Sequence, residues 1–214
     1  MSKLIKIQKP KFIDELEEIE DIYEEIIMAD KIQNKIIENV TIEGKKDIGI
    51  SMDSCIFKNV IFKDCSFKNI DLLDTIFENC DLSNVSFSNG SIHRVEFINC
   101  KILGTTFDES NFKDVLLQKL LGKYANFSYA RFKSVNIVDC NFQDVIFQQA
   151  RVEKIALKDS DLTNTYFNKT SLNKIDLTTC DITGIDLEID DIAGATVTAM
   201  QGLELTRLMR ITIK

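Results

Sequence analysis

A large apolar residue recurs at every fifth position from Phe57 to Leu187, with Gly122 as the single exception. Thirteen of the fourteen Phe residues fall in this series. A spacing of five matches neither a β-strand, which alternates about every two residues, nor an isolated helix, which repeats about every 3.6. A short repeat that keeps its phase over most of a chain is typical of a solenoid. The pattern therefore predicts a linear array of short repeats.

Each group of five has a common internal pattern. The residue two before the apolar centre is small or apolar, and the two residues after the centre are mostly polar. Two inward and three outward positions predict a continuous wall around an apolar interior. Positions twenty apart also share side-chain types, which indicates that four groups make one coil and that coils stack. The clearest column is a predicted core ladder of Phe rings, namely Phe67, Phe87, Phe107, Phe127, Phe147 and Phe167.

These groups resemble the pentapeptide-repeat family in segments such as Cys-Ser-Phe-Lys-Asn (65–69), Cys-Asp-Leu-Ser-Asn (80–84) and Ala-Asn-Phe-Ser-Tyr (125–129). The resemblance implies an all-β solenoid, specifically a right-handed quadrilateral β-helix of pentapeptide repeats. We place this β-helix at residues 51–189. About seven coils at the usual distance between strands, about 4.8 Å, predict a rod about 34 Å long.

The N-terminal end lacks the repeat, as expected of a cap over the open edge of a solenoid. We assign residues 1–50 to this end. Asp14 and Glu17 resemble a capping box, and an apolar stripe follows at helical spacing. The pattern predicts a helical cap over residues 15–29 and a degenerate first coil over residues 36–50.

The C-terminal end, residues 190–214, is also non-repetitive. Thr198 and Gln201 form a capping box that predicts a capping helix over residues 199–209. Together with the stretch before it, this segment resembles the tail of the Qnr-like, quinolone-resistance type of bacterial pentapeptide-repeat proteins. That resemblance implies a homodimer through the helix, with contacts from Leu203, Leu205, Leu208 and Met209.

The net charge of the 214-residue chain is −8. An acidic chain lacks the basic footprint of a nonspecific nucleic-acid binder and is repelled by anionic membranes. No apolar stretch has the length of a membrane span, and the first residues lack the continuous apolar region of a secretion signal. We therefore expect a cytoplasmic protein with a protein partner and with no direct contact to nucleic acid or membrane.

The sequence offers little chemistry for catalysis. His93 is the sole histidine, so no second histidine can complete a catalytic or metal-binding constellation. The six cysteines all occupy the small inward position of the repeat, where Cys serves as a small hydrophobic residue. Phosphate-binding glycine motifs are absent. We predict that the protein is not an enzyme and uses no cofactor and no metal.

The outward charges divide by face. The face centred on Phe57, Phe77 and Phe97 and the face centred on Phe62 and Leu82 are predicted to be acidic. The face centred on Leu72 and Ile92 is predicted to be basic. The candidate partner-binding carboxylates are Asp64, Asp81, Asp144, Asp161, Asp181, Glu78, Glu96, Asp139, Asp159 and Asp176.

The Qnr-like resemblance implies that these carboxylates mimic duplex DNA and bind type II topoisomerases, either DNA gyrase or topoisomerase IV. The expected consequence is quinolone protection, inhibition of the enzyme, or both. The alternative is a structural or scaffold protein with an unrelated protein partner, because one fold serves many functions. Two interpretations of Gly122 also stay open: a local bulge in which Leu121 folds inward, or an exposed apolar contact for a partner.

Overall fold

The computed structural model describes residues 3–210 of the chain. Short parallel strands dominate it. The early strands are Glu17–Glu18, Lys31–Gln33, Lys35–Glu38, Thr41–Glu43, Lys46–Ile48, Ser51–Asp53, Ile56–Lys58, Ile61–Lys63 and Ser66–Lys68. The later strands are longer, because they turn a corner between two faces: Asp71–Glu78, Ser91–Ile98, Asn111–Gln118, Arg131–Val138 and Arg151–Lys158.

Successive coils pair with an offset of twenty residues. Leu72 pairs with Ile92, and Phe77 pairs with Phe97, in the same parallel register. The offset continues through single bridges where no strand is long enough to be assigned. One irregularity occurs at Lys133, which pairs with Lys154, after which the offset of twenty resumes. The predicted β-solenoid of about seven coils is confirmed.

The four groups of each coil form four faces, which we number in chain order. The first face is centred on Leu72 and its equivalents, the second on Phe77, the third on Leu82 and the fourth on Phe87. Because the faces follow one another around the rod, the first lies opposite the third. All four centres are buried.

The predicted Phe ladder is confirmed and lies on the fourth face. Its neighbouring rings stack with centroids 5.0–5.8 Å apart. The second face adds a shorter stack of Phe57, Phe77 and Phe97, and the first face adds the pair of Phe112 and Phe132. Stacked rings add about 0.5–1.5 kcal/mol per pair beyond burial. The ladder therefore holds the coils in one axial register.

Nearly every corner of the coil has a residue in the left-handed conformation, two positions after the apolar centre. The non-glycine residues there have φ between 49° and 64°. Asn and Asp tolerate this conformation better than other side chains, and glycine adopts it freely. This requirement explains the frequent Asn and Asp after the centre, as at Asn59, Asn79 and Asn99. Tyr124 and Tyr129 are bulky exceptions.

The predicted N-terminal helix over residues 15–29 is wrong. Glu17–Glu18 is a strand that pairs with Lys35 and Ile36 of the first coil, and only Tyr23–Ile27 forms a helical turn, of π type. Asp21 caps that turn by accepting hydrogen bonds from the backbone N–H groups of Tyr23 and Glu24. The strand pairs with backbone groups at the open edge of the first coil, which a helix would leave unpaired, so tertiary contact overrides the helical pattern.

The first coil is more regular than its sequence indicates. It begins at Lys31, and all four of its strands pair with those of the next coil. The fourth face carries an ion pair in place of an apolar residue: Lys45 Nζ lies 2.7 Å from Asp47 Oδ2. Lys45 Nζ also donates to the carbonyls of Ile27 and Ala29. The buried amine thus fastens the π turn to the end of the core.

An N-terminal arm, residues 3–12, runs along the outside of the rod at the border of the first and second faces. The backbone N–H of Ile5 donates to Asn136 Oδ1, and Asn136 Nδ2 donates to the carbonyl of Ile5, both at 2.9 Å. Further along, Gln8 N donates to Asp114 and Lys11 N donates to Asp74. This arm was not predicted from the sequence. It spans about three coils and buries polar side chains that would otherwise face solvent.

Gly122 is accommodated without a bulge, so the predicted inward fold of Leu121 is wrong. Leu121 is 50% exposed. A Cβ at Gly122 would lie 2.6 Å from Cε1 of Phe142 and 3.2 Å from Cγ1 of Ile102. The Phe142 ring of the next coil therefore occupies the space that a side chain at position 122 would take.

The C-terminal capping box is confirmed, because Thr198 and Gln201 exchange hydrogen bonds of 3.2 and 2.8 Å. The helix Ala199–Leu205 continues as the 3₁₀ turn Thr206–Met209, preceded by the short helix Ile189–Ile192. Gln201 Nε2 donates to two carbonyls of the last coil, so the helix covers its open edge. No helix within residues 3–210 is long and apolar enough to cross a membrane.

Candidate functional site

Carboxylates concentrate along one corner of the rod, where the second and third faces meet in the last coils. We call this set the acidic edge. Asp139 and Asp159 occupy equivalent corner positions in consecutive coils, and Asp161 forms a bridge with Asp181 in the next coil. The acidic edge consists of Asp139, Asp159, Asp161 and Asp181, flanked by Asp144 and Asp176.

Local hydrogen bonds favour the ionised form of two of these carboxyls, Asp161 and Asp176. Asp176 Oδ1 accepts from the N–H and the hydroxyl of Thr178, and these bonds lower the pKa of its carboxyl. At Asp161, partial burial raises the pKa, but hydrogen bonds from Thr163 and Gln143 outweigh it, so the pKa of that carboxyl is lowered. The Thr residue two positions after each Asp supplies the donor. Asp161 and Asp176 are therefore ionised at neutral pH.

Few cations compensate the acidic edge. Lys158 Nζ lies 3.4 Å from Asp159, and Lys123 Nζ lies 3.3 Å from Asp144. Asp139 and Asp181 have no ion pair within the part of the chain that the structure describes. Both are exposed.

The other predicted partner-binding carboxylates are less available to a partner. Asp81 has Lys101 Nζ at 3.7 Å, and similar cross-coil ion pairs join Lys58 to Glu38 and Lys63 to Glu43 in the first half of the rod. Asp64 and Glu78 lie in that half as well, away from the acidic edge. Glu96 is only 8% exposed and shares the column of Asn136, beside the path of the arm. A buried Glu96 cannot contact a partner, so its assignment to the partner-binding set is corrected.

A small apolar patch lies next to the acidic edge on the third face. It consists of the exposed side chains of Leu103, Leu121 and Tyr124. Leu121 stands in the same column as Lys101 and Asn141. Its exposure favours the second interpretation of the Gly122 region, an apolar contact on the surface.

His93 belongs to a polar cluster at the border covered by the arm. Its Nε2 lies 3.3 Å from Nη1 of Arg94 and 3.8 Å from Oδ2 of Asp114. Burial lowers the pKa of His93, and the positive charges of Arg94 and Lys113 lower it further. No nucleophile is hydrogen-bonded to this imidazole in the described residues. The cluster thus serves to hold the arm.

The cysteines act as internal hydrogen-bond donors. The Cys80 thiol lies 3.3 Å from the carbonyl of Phe57 in the preceding coil, and Thr105 and Ser110 make the same contact from the same position of the repeat. Burial raises the pKa of Cys55 to about 11 and that of Cys140 to about 12, so neither thiol is a nucleophile at neutral pH. Residues 3–210 contain no cluster of three or more potential metal ligands.

The C-terminal cap separates the predicted dimer contacts into two classes. Leu203 and Met209 are 47% and 61% exposed, respectively. Leu205 and Leu208 instead pack against the core of their own chain. Met200, which the sequence prediction missed, is 74% exposed and lies beside Leu203 on the outer side of the cap. Residues 211–214 of the predicted C-terminal segment lie outside the described residues.

Family models of pentapeptide repeats match the second half of the rod. A model of the pentapeptide repeat region matches residues 90–160, and a model of eight pentapeptide repeats matches residues 146–184. The model of the SV2A/B/C luminal domain matches residues 17–107. A search among curated proteins gave no match.

Several solved structures are similar. A trypsin-treated variant of QnrB1, a plasmid-mediated fluoroquinolone resistance protein, is 22% identical; the match covers 84% of this chain and all of that chain, with a TM-score of 0.41. HetL, a pentapeptide repeat protein involved in heterocyst differentiation regulation from Nostoc, is 13% identical over 78% of this chain and 86% of its own, with a TM-score of 0.23. A pentapeptide repeat protein from the Arabidopsis thaliana thylakoid lumen is 21% identical over 44% and 66%, with a TM-score of 0.29.

Proposed function

Because the chain is a pentapeptide-repeat protein, we propose that it is a non-enzymatic DNA mimic that binds a type II topoisomerase, DNA gyrase or topoisomerase IV, in the cytoplasm. The acidic edge carries this proposal. It presents about two carboxylates per coil, and coils about 4.8 Å apart give about one negative charge per 2.4 Å of rod. Duplex DNA carries about one per 1.7 Å of its axis. The two charge densities are of the same order.

A stiff rod is suited to this role. The stacked Phe ladder and continuous strand pairing hold the carboxylates in fixed columns, so little side-chain and backbone order must be gained on binding. A channel that accepts duplex DNA is lined with positive charge, and complementary charge accelerates association and favours one orientation. The acidic edge would therefore enter such a channel with the opposite corner of the rod facing away.

Homodimerisation is part of the proposal. The exposed side chains of Met200, Leu203 and Met209 lie on the outer side of the cap. Two caps meeting there would extend the rod end to end and double the length of the acidic edge. Substitution of Leu203 and Met200 by Ser is expected to shift the protein to monomer in analytical ultracentrifugation. Leu121→Ser, which removes an equally exposed apolar side chain elsewhere, is the control.

The functional test is a supercoiling assay with DNA gyrase and with topoisomerase IV, each with and without a quinolone. We expect inhibition of supercoiling or protection from the drug at low-micromolar protein. The triple variant Asp139→Asn, Asp159→Asn, Asp181→Asn should weaken the effect at least tenfold. Asn preserves the left-handed corners at positions 139 and 159, so the fold is retained.

The matched control is Glu15→Gln, Glu24→Gln, Asp71→Asn. It removes the same number of charges from exposed positions away from the acidic edge. If both triple variants lose the effect on supercoiling equally, the effect depends on net charge and not on the acidic edge. An absence of any effect or of gyrase binding at tens of micromolar would exclude the topoisomerase as partner.

A scaffold function with an unrelated protein partner is the second candidate. The apolar patch of Leu103, Leu121 and Tyr124 favours it, because exposed apolar side chains next to charged ones are common at protein contacts. Leu121→Asp combined with Tyr124→Asp distinguishes the two functions. It should abolish binding of a scaffold partner while leaving the effect of the acidic edge on gyrase in place.

A further inference from the structure

The surface on the other side of the rod from the acidic edge is strongly basic. We call it the basic face. It comprises the outward positions of the first face and of the two corners beside it, between residues 113 and 174. Its cations are all exposed, and they are Lys113, Arg131, Lys133, Arg151, Lys154, Lys169 and Lys174. The acids on the same surface are Glu109, Asp114 and Glu153, and the carboxylate of Asp191 accepts a hydrogen bond from the backbone N–H of Lys169.

Most of these cations have no compensating charge. Lys133 Nζ lies 3.4 Å from Glu153, and that is the single ion pair of the basic face among residues 3–210. Arg131 and Arg151 are directly paired in neighbouring strands, with their backbones about 4.8 Å apart. Like charges placed opposite each other destabilise a sheet. An anion bound between the two guanidinium groups would remove that repulsion.

The N-terminal arm enlarges the basic face. Its hydrogen bonds to Asn136 and Asp114 fix it at the border of the first and second faces, next to the columns of Lys113 and Lys133. The arm carries four exposed lysines at intervals of two or three residues, none with an ion pair within residues 3–210: Lys3, Lys6, Lys9 and Lys11. Positive charge therefore continues along the rod beyond the repeat itself.

A groove of about 680 Å³ crosses the basic face at the corner of the fourth and first faces. Arg131, Arg151 and Lys169 line it, together with Gln149, the exposed ring of Tyr129 and one carboxylate, that of Glu109, against these three cations. Tyr129 holds the left-handed corner position, which is unfavourable for a bulky side chain, and is 52% exposed. The groove thus offers two planar guanidinium groups, an amine and one aromatic surface at a single site.

We propose that the basic face binds the phosphodiester backbone of nucleic acid. Guanidinium groups bind phosphate oxygens in a bidentate manner, and an aromatic ring beside a cationic groove provides a surface on which a base can stack. The composition of the face favours nucleic acid over an acidic protein. Apart from Tyr129, and Leu4 on the arm, no large apolar side chain of residues 3–210 is exposed on it. Protein interfaces need an apolar centre, whereas nucleic-acid interfaces are polar and positively charged.

The overall charge of −8 does not describe this surface. The acidic edge and the basic face lie on opposite corners, so the rod is polarised across its width. A polyanion is repelled by one side and attracted by the other, which orients the protein and keeps the affinity modest. The prediction that the protein makes no direct contact with nucleic acid was based on net charge. Net charge does not reveal that acidic and basic side chains lie on different sides of the rod.

The proposal is tested without any topoisomerase, so its outcome is independent of the proposed function. Fluorescence anisotropy of a labelled 20-base-pair duplex, and of one of its strands alone, is measured at several salt concentrations. We expect micromolar binding at low salt that weakens steeply as salt rises, because bound phosphates release counterions. The stronger of the two signals identifies duplex or single strand as the preferred form.

The test variant is Arg131→Gln, Arg151→Gln, Lys169→Gln. It should bind at least tenfold more weakly than the wild type and show a smaller salt dependence. The matched control, Lys31→Gln, Lys46→Gln, Lys68→Gln, removes three exposed lysines without ion pairs from the first coils and should bind as the wild type does. Circular dichroism of each variant verifies that the fold is intact.

Three results would overturn the proposal. The first is no anisotropy change for either nucleic acid at 50 micromolar protein and low salt. The second is an equal loss of binding in the test and control variants. The third is polyglutamate displacing the nucleic acid more effectively than unlabelled duplex of the same charge, which would identify an acidic protein segment as the occupant.

Discussion

Asp74 and Arg94 occupy equivalent corners of consecutive coils and form a two-pronged ion pair. Arg94 Nε donates to Oδ1 of Asp74 at 2.6 Å, and Nη2 donates to Oδ2 at 2.5 Å. The same Oδ1 accepts the backbone N–H of Lys11, so one carboxylate joins two coils and the N-terminal arm. Asp74 is 5% exposed. The pair is therefore shielded from solvent, unlike the other cross-coil ion pairs.

Removal of Arg94 should destabilise the protein strongly. Arg94→Ala leaves the Asp74 carboxylate buried without its partner, which we expect to cost about 3–5 kcal/mol in the free energy of unfolding. Lys63→Ala is the control, because Lys63 and Glu43 form an ion pair across coils with more than half of each side chain exposed. Exposed pairs contribute little. Urea unfolding of both variants gives the comparison, and similar midpoints would contradict the structural role of Arg94.

The same carboxylate predicts a pH dependence. Burial raises the pKa of Asp74, but the hydrogen bonds and charge of Arg94 and the N–H of Lys11 outweigh it, so its pKa lies below the ordinary value of 3.8. A lowered pKa in the folded state stabilises the protein above the unfolded pKa, and this contribution is lost as pH falls through the folded pKa.

Asp74→Asn should therefore be less stable than the wild type at pH 7, and the difference should shrink as pH falls below 3.8. Urea midpoints at pH 7, 5 and 3 measure it. Asp71→Asn, an exposed carboxyl in the same strand, shows the effect of removing one acidic group alone. If the difference in urea midpoint between the wild type and Asp74→Asn stayed constant down to pH 3, Asp74 would stabilise the fold through packing and not through its charge.

The repeat was predictable from sequence because each inward position requires a similar side chain in every coil. The arm and the N-terminal turn were not, since neither repeats. A signal for the arm did exist in the outward column that pairs Ile56, Ile76, Glu96 and Leu116, where apolar residues face away from the core. An apolar residue such as Leu116 at an outward position of this column is explained by the N-terminal arm, which lies beside the column.

The acidic edge was also predictable only in part. Assignment of carboxylates to faces was possible from the period of twenty alone. Which of them are compensated depends on lysine side chains of neighbouring coils, and which are covered depends on the arm. Glu96 and Asp176 both stand just before an apolar centre of the second face, yet Glu96 is buried and Asp176 is only partly buried.

The arm itself should be releasable by a single substitution. Asn136→Ala removes both hydrogen bonds to Ile5, each contributing about 1 kcal/mol. The population with a detached arm should rise at least tenfold, and trypsin should cleave after Lys6 and Lys11 faster by a similar factor. Asn141→Ala removes an outward Asn whose Oδ1 accepts a hydrogen bond from the N–H of Gln143 in its own turn, and it should leave cleavage unchanged. Equal cleavage rates in all three proteins would show that these bonds do not hold the arm.

The Phe ladder should dominate the stability of the rod. Phe127 stacks on Phe107 and Phe147 with centroids 5.0 Å away on each side and is fully buried. We expect Phe127→Ala to cost about 3–5 kcal/mol, because it opens a cavity in a closely packed interior. Lys68→Ala, at an exposed position, should have almost no effect. Thermal and urea unfolding measure both, and comparable losses would mean that the inward and outward positions are misassigned.

Gly122 and Phe142 should be energetically coupled across the interior. A Cβ at position 122 would lie 2.6 and 2.7 Å from two carbons of the Phe142 ring, closer than any relaxed contact. Gly122→Ala alone should cost about 1–3 kcal/mol through overpacking. Phe142→Leu alone should also destabilise, because it leaves part of the ring volume empty. In the double variant the new methyl group fills that volume, so the combined loss should be smaller than the sum of the single losses. A double-mutant cycle measured by urea unfolding isolates this coupling, and strictly additive losses would show that Phe142 does not occupy the site left by the missing side chain.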